Sequence, residues 1–156
     1  MVIEKAVRKS PRLKEFDYAS SRYYFVTVCT KEHQCHFGSV IATQDNGEMR
    51  LNENGMLLER HVKVLDQRYP FVSVDQYVIM PNHIHLIILL DHQNLRSLPQ
   101  IIGSFKSGVS RELGFSVWQR SFNDHVIRGE EDYRKIWEYI ENNPAKWAMD
   151  KYYQSS

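Results

Sequence analysis

The sequence has few cysteines, no long apolar run and almost no net charge, and each shortage excludes a class of protein. Its 156 residues include only Cys29 and Cys35, which form neither a disulfide framework nor a CxxC knuckle. The longest apolar stretch, Leu86 to Leu90, is far shorter than a membrane span, and the N-terminus shows no signal-peptide core. We therefore predict a soluble, cytoplasmic protein in a reducing compartment, with no membrane partner.

A formal net charge of +1 lacks the large positive excess that often marks a nucleic-acid binder. Any contact with DNA must then come from local positive patches. The first fourteen residues form one candidate, with a single acidic residue, Glu4, and five basic residues: Lys5, Arg8, Lys9, Arg12 and Lys14. This stretch is either a solvated tail or a phosphate-binding arm that includes Arg8 and Arg12. We predict an arm over residues 1–20 and a single domain over residues 21–156.

The pattern of apolar residues predicts a mixed α and β domain. Strands are expected at residues 23–30, 71–79 and 83–90, and a hairpin at residues 37–51 around Asn46-Gly47. Helices are expected at about residues 52–68, 98–113 and 130–143, while residues 118–128 are irregular or a short strand. Because this order lacks regular βαβ alternation, it favours an α+β sandwich with helices on a mostly antiparallel sheet.

Two histidines at the head of the third strand form a candidate metal site. His83 and His85 share one face of the strand, and Ile84 points to the other. Neutral imidazole suits Mn, Fe, Co, Ni or Zn, with Mg less usual. Pro81 and Asn82 interrupt the preceding strand and put the pair near a sheet end, where sites usually lie. The alternative is two histidines that fall two positions apart by chance.

The last helix carries a tyrosine at the border between its apolar arc and solvent. Tyr139 and Asn143 lie one turn apart on this edge, so a phenol and an amide carbonyl point the same way. Both could reach a metal site. The alternatives are a boundary tyrosine with a hydrated hydroxyl and an ordinary residue at the helix end before Pro144.

Several motifs in this order resemble those of the REP-associated tyrosine transposases, in the single-tyrosine HUH group of transposases, where U is a bulky apolar residue. The resemblance covers about residues 8 to 150 and rests on five segments: YYFVTVCT at 23–30, LNENG at 51–55, MPNHIH at 80–85, WQ with DHVIR at 118–128, and YIENNP at 139–144. It implies a ferredoxin-like fold and an enzyme that cleaves and rejoins single-stranded DNA at imperfect hairpins.

The resemblance also assigns roles to individual residues. His83 and His85 match the HUH ligands of a divalent metal, Mg or Mn, and Tyr139 matches the nucleophile that forms a 5′-phosphotyrosine intermediate. Asn143 stands where relatives carry a polar third ligand, often Gln, which is longer by a methylene. Relatives include proteins that act alone and dimers, so the partners expected are single-stranded or hairpin DNA and, for a homodimer, a second copy.

Five further basic residues are candidate phosphate contacts on or near the motif segments: Lys106, Arg111, Arg120, Arg128 and Lys146. Two rival functions remain open. One is a metal-dependent phosphohydrolase that uses water, although histidine-triad enzymes carry a third alternating histidine where this chain has Ile87. The other is a domesticated, non-catalytic module that binds DNA hairpins.

Overall fold

The computed structural model describes residues 22–43 and 47–153. The predicted arm at residues 1–20, with Arg8 and Arg12, lies outside the described residues. Within the described ranges the elements are β1 Arg22–Cys29, β2 Gly38–Ala42, β3 Gly47–Leu51, α1 Glu53–Arg68, β4 Val72–Met80, β5 His83–Leu90, α2 Leu98–Leu113, β6 Asn123–Ile127 and α3 Glu130–Asn142, with short 3-10 helices at Lys31–His33 and Pro144–Met149.

Four of these strands form one antiparallel sheet in the order β4-β5-β1-β6. The apolar strand β5 is central, as its sequence predicts. β2 and β3 form a separate hairpin in which Ala42 pairs with Gly47, so the predicted hairpin is confirmed, although its turn residues 44–46 lie outside the described part.

Different helices pack on the two faces of the sheet. The side chains of β5 alternate between these faces, so they contribute to two separate apolar clusters. Ile84, Leu86 and Ile88 enter the main core, to which α1 and α2 contribute. On the other face, Ile87 and Leu89 pack with Tyr133 and Ile140 of α3. The predicted α+β sandwich is confirmed, and His83 and His85 belong to the α3 face.

The helices begin and end at residues whose side chains or backbone favour a terminus. Asn52 caps α1 through its Oδ1, which accepts from the Gly55 N–H at 2.9 Å. Gly114 ends α2 with φ 89°, a left-handed conformation that glycine adopts without a steric penalty. Pro144 follows α3 and starts a 3-10 helix. Among the described helices, none combines the length and apolarity of a membrane crossing.

Candidate metal and nucleophile site

Two buried imidazoles stand at the beginning of β5. Pro81 and Asn82 form the turn from β4, because Met80 pairs directly with His83. The side chains of His83 and His85 are 0% and 1% exposed. Their ring centroids are 4.6 Å apart. The turn and the alternation of the strand therefore place both rings together at one end of the α3 face.

Asn82 fixes the tautomer of His83. The Asn82 Nδ2 donates to the backbone carbonyls of His33 at 3.0 Å and Tyr152 at 2.6 Å, which identifies the other amide atom as the oxygen. That oxygen lies 2.8 Å from Nδ1 of His83. Since it can only accept, Nδ1 must carry the proton, and Nε2 of His83 keeps its lone pair.

His85 is held by the neighbouring strand. Thr27 pairs with His85 across β1 and β5, and its Oγ1 lies 2.8 Å from Nδ1. Nε2 of each histidine is buried without a hydrogen-bond partner among the described residues. Burial lowers the pKa of His83 to about 3, against a smaller raising effect of the Asn143 side chain. Burial also places the pKa of His85 well below its usual value. Both rings are thus neutral at pH 7.

Tyr139 and Asn143 approach the imidazoles from α3. The Tyr139 ring is 42% exposed, and its centroid lies 5.2 Å from that of His85. Phe25 stacks on His85 at 5.2 Å and is edge-on to Tyr139 at 6.1 Å, so the three rings pack against one another. Burial raises the pKa of the Tyr139 phenol, and the nearby Asn143 amide acts in the opposite direction.

Asn143 turns its amide oxygen toward the site. Its side chain is 3% exposed, and Nδ2 donates to the Tyr139 carbonyl at 3.3 Å. Oδ1 is buried and makes no hydrogen bond of normal geometry with a described residue. The sequence placed Tyr139 and Asn143 on one helix edge, and the structure brings both to the two imidazoles.

The donor set fits a divalent cation. Two imidazole nitrogens and one amide oxygen are buried without a hydrogen-bond partner among the described residues, and such unsatisfied atoms are rare inside proteins unless a ligand completes them. Among the described residues, no three His, Cys, Asp or Glu side chains are arranged to hold a metal ion. A site here would therefore rest on His83, His85 and the carboxamide of Asn143, a set of neutral N and O donors.

Sequence reasoning missed the segment that follows α3. The 3-10 helix Pro144–Met149 brings Trp147 to within 6.1 Å of His83, and Tyr152 lies 4.6 Å from the same ring, both between centroids. His33 stacks on Tyr152 with their ring centroids 5.7 Å apart. Tyr152 and Tyr153 follow the part of the chain that resembles the transposase family, which ends at about residue 150. No motif or spacing in the sequence therefore indicated a role for them.

The predicted phosphate contacts are spread over both faces of the sheet. Lys106 and Arg111 belong to α2, which packs on the face opposite the imidazoles. The Lys106 ammonium donates to the carbonyls of Gln119 and Arg120 at 2.8 and 3.1 Å, so it holds this loop. Arg120, Arg128 and Lys146 are exposed. Their DNA contacts remain predictions, as do those of Lys106 and Arg111.

Two other residues of the motif segments have structural partners. Trp118 is 3% exposed and packs between Phe37 and Phe105, so it is core. His125 on β6 pairs with Asp132 of α3 at 2.9 Å. The same carboxylate oxygen accepts from the Arg128 N–H at 3.0 Å, which ties β6 to the start of the Tyr139 helix.

Known proteins resemble this chain in sequence. A comparison with models of protein families gives no match. An uncharacterized protein of Haemophilus influenzae is 38% identical over 172 aligned positions, covering 94% of this chain and 93% of that protein. A putative REP-associated tyrosine transposase of the same species is 31% identical over 51% of this chain and 53% of its own length. A REP-associated tyrosine transposase of Escherichia coli is 31% identical over 62% and 57%. The chain thus spans little more than half the length of these two transposases.

Two solved structures share the fold. A REP-associated tyrosine transposase bound to a REP hairpin superposes with a TM-score of 0.63 at 22% identity, over 90% of this chain and 76% of that one. A putative transposase of Deinococcus radiodurans gives 0.52 at 17% identity, over 87% and 97%. The fold is therefore one found among DNA transposases. The predicted resemblance to the REP-associated tyrosine transposases is confirmed by the two sequence relatives of that name, each 31% identical over part of its length.

Proposed function

We propose that this protein cleaves and rejoins single-stranded DNA, with Tyr139 as the nucleophile and a divalent metal, Mg or Mn, held by His83, His85 and Asn143. One observation carries the proposal. Three buried atoms without a hydrogen-bond partner among the described residues, the two Nε2 atoms and the Asn143 Oδ1, belong to the same cluster of side chains as the exposed Tyr139 ring. A structural histidine pair would instead be expected to have its ring nitrogens satisfied.

The chemistry asked of Tyr139 is difficult without help. A phenol with a pKa of about 10 is only about 0.1% ionised at pH 7, a handicap of roughly 4 kcal/mol, and burial raises the pKa of Tyr139 further. When bound, a divalent cation supplies positive charge that polarises the scissile phosphate and favours the phenolate. The imidazoles are suited to hold it, because Asn82 and Thr27 each engage Nδ1 and leave Nε2 without a partner.

The reaction is a transesterification. The Tyr139 oxygen loses its proton and forms a bond to phosphorus, while the bond from phosphorus to the 3′ oxygen breaks and that oxygen leaves as a hydroxyl. The product is a 5′-phosphotyrosine, and one phosphodiester has replaced another. A 3′-hydroxyl of the same or another strand can therefore reverse the step without a nucleotide cofactor.

The names of relatives suggest the substrate, a DNA hairpin of the REP type, because one structural neighbour was solved with a REP hairpin. The geometry also supports attack within one chain. The Tyr139 and His85 rings are 5.2 Å apart in a single chain, so a monomer could supply both parts. Mixing Tyr139→Phe with a His83→Ala, His85→Ala variant tests this, since restored cleavage would instead indicate a homodimer with exchanged helices.

A covalent-adduct gel tests the proposal. Wild-type protein with a labelled single-stranded hairpin oligonucleotide should give a denaturation-resistant adduct in Mn²⁺ or Mg²⁺ and none in EDTA. Tyr139→Phe should give no adduct. A Tyr139→Phe variant that still forms the adduct would refute the assignment. Cleavage by both proteins without adduct would favour the water-using phosphohydrolase, and hairpin binding without cleavage would favour a domesticated binding module.

A further inference from the structure

A carboxylate that the sequence did not single out faces the imidazole pair. Asp150 follows the 3-10 helix, and its side chain is 4% exposed. Its Oδ1 accepts from the backbone N–H of Tyr152 at 2.8 Å, which fixes the orientation of the group. Its Oδ2 lies 4.0 Å from Nε2 of His83. The carboxylate therefore points at the atom that carries the free lone pair.

This pairing has no satisfactory interpretation as an ion pair. The Asn82 oxygen accepts the proton on Nδ1 of His83, and at 4.0 Å the Asp150 oxygen lies beyond hydrogen-bonding distance of Nε2. Two electron-pair donors that face each other in a buried place are unfavourable unless a cation stands between them. A cation would satisfy both.

The distance is compatible with one shared ion. Two ligand atoms with metal bonds of about 2.1 Å cannot lie more than roughly 4.2 Å apart. The 4.0 Å between Oδ2 and Nε2 falls just inside this limit. It is near this limit, and no three His, Cys, Asp or Glu side chains of the described residues are already arranged to hold a metal ion, so binding must draw the carboxylate toward the histidines.

The segment that carries Asp150 is attached to the strand end that carries the histidines. Asn82 donates to the Tyr152 carbonyl at 2.6 Å, and Trp147 is 8% exposed. The 3-10 helix also lies against the hairpin, where a Cβ added to Gly47 would come within 2.7 Å of the Pro144 carbonyl oxygen. The chain before and after Asp150 is thus held in place by these contacts.

We propose that Asp150 is the anionic ligand that joins His83, His85 and Asn143 when a divalent cation binds. The inference rests on the proposed function, because it concerns the same metal. A carboxylate adds negative charge to an otherwise neutral donor set and favours hard ions such as Mn²⁺ and Mg²⁺ over softer ones. It thereby accounts for the expected metals better than imidazoles alone.

Calorimetric titration of the full-length protein with Mn²⁺ tests the proposal without DNA. Asp150→Asn keeps the shape and the Oδ1 acceptor but removes the charge, and the dissociation constant should rise at least about tenfold. Glu141→Gln is the control, because it removes the charge of an exposed residue two positions before Asn143. It should change the dissociation constant less than about twofold. The His83→Ala, His85→Ala variant should not bind Mn²⁺ at this site.

Melting temperatures separate a ligand from a structural residue. For a ligand, Asp150→Asn without metal should melt no lower than wild type, while the rise in melting temperature caused by Mn²⁺ should shrink. Titrations below both melting temperatures exclude a folding defect. Wild-type affinity in Asp150→Asn, or a lower melting temperature without metal together with an unchanged Mn²⁺ effect, would overturn the role of Asp150 and leave the nuclease proposal standing. Absence of Mn²⁺ binding by wild type would overturn both.

Discussion

Two tyrosines on one helix should respond in opposite ways to the same substitution. Tyr133 and Tyr139 both belong to α3, but Tyr133 is 0% exposed while Tyr139 is 42% exposed. The Tyr133 hydroxyl donates to Asp75 Oδ2 at 2.6 Å. Its ring also packs edge-on against Tyr23, with centroids 5.5 Å apart. Tyr133 therefore stabilises the fold, while the Tyr139 ring reaches solvent, as the proposed nucleophile must.

The expected magnitudes follow from these contacts. Hydrogen bonds to charged acceptors contribute about 1.5–3 kcal/mol, so Tyr133→Phe should lower the unfolding free energy by that amount. In a chain of 156 residues this corresponds to roughly 4–10 °C in melting temperature. Tyr139→Phe removes a hydroxyl from a partly exposed ring and should change stability by less than about 0.5 kcal/mol.

Urea denaturation and the covalent-adduct gel together check the pair. Tyr133→Phe should be less stable but should still form the DNA adduct at temperatures where it is folded. Tyr139→Phe should be as stable as wild type and form none. The reasoning fails if Tyr133→Phe loses the adduct while folded, or if Tyr139→Phe loses more than about 1 kcal/mol of stability, because Tyr139 would then be a structural residue.

Three further predictions concern the surroundings of the site. Asn82→Ala should lower the unfolding free energy by roughly 2–4 kcal/mol, because three hydrogen bonds around a buried side chain are lost. The same change should weaken Mn²⁺ binding about 10–100-fold. Asn94→Ala, which removes one exposed hydrogen bond, should have neither effect. The pKa of His83 is about 3 in the folded protein and 6.5 by its usual value, so the unfolded chain takes up the proton first as pH falls. The unfolding free energy of the metal-free protein should therefore fall by about 2 kcal/mol between pH 7 and 5 because of this residue. Denaturation of His83→Gln over the same pH range should show a smaller fall. Lys106→Met should cost about 1–2 kcal/mol in urea denaturation because the ammonium holds the loop at 119–121, whereas Arg111→Met, an exposed change, should cost less than about 0.5 kcal/mol.

Local patterns predicted the parts of this fold that local physics decides. The alternation of β5 put His83 and His85 on one face, and helical spacing put Tyr139 and Asn143 on one edge. The expected helix limits at residues 52 and 113 lie at or next to Asn52 and Gly114, whose capping chemistry favours a helix end. In each case a residue determines the conformation within a few positions of itself, so its effect is visible in the sequence.

The parts that escaped prediction depend on contacts between distant segments. Asn82 was expected only to interrupt a strand, yet its amide reaches the carbonyl of Tyr152, 70 positions away. Lys106 was predicted to contact a DNA phosphate, and nothing in the sequence indicated the carbonyls that it reaches in the loop before β6. Asp150 faces His83 only because the chain turns back after α3. Periodicity indicates which way a side chain points on its own helix or strand. It carries no information about which residues of other segments pack against that side chain.

The distribution of unsatisfied polar atoms is itself an argument that the cluster is a functional site. Among the described residues, four buried side-chain polar atoms lack a hydrogen-bond partner, and three of them belong to His83, His85 and Asn143; the fourth is Trp118 Nε1. Each such atom costs about 1–3 kcal/mol, so three together cost roughly 3–9 kcal/mol, comparable with the whole stability of a typical domain. Apolar residues of similar size would avoid this penalty. The three atoms come from a strand and from the end of a helix nearly 60 positions away, and Asn82 and Thr27 engage Nδ1 of each ring and leave Nε2 unpaired. The arrangement therefore supports the proposal that a cation binds here and relieves the penalty.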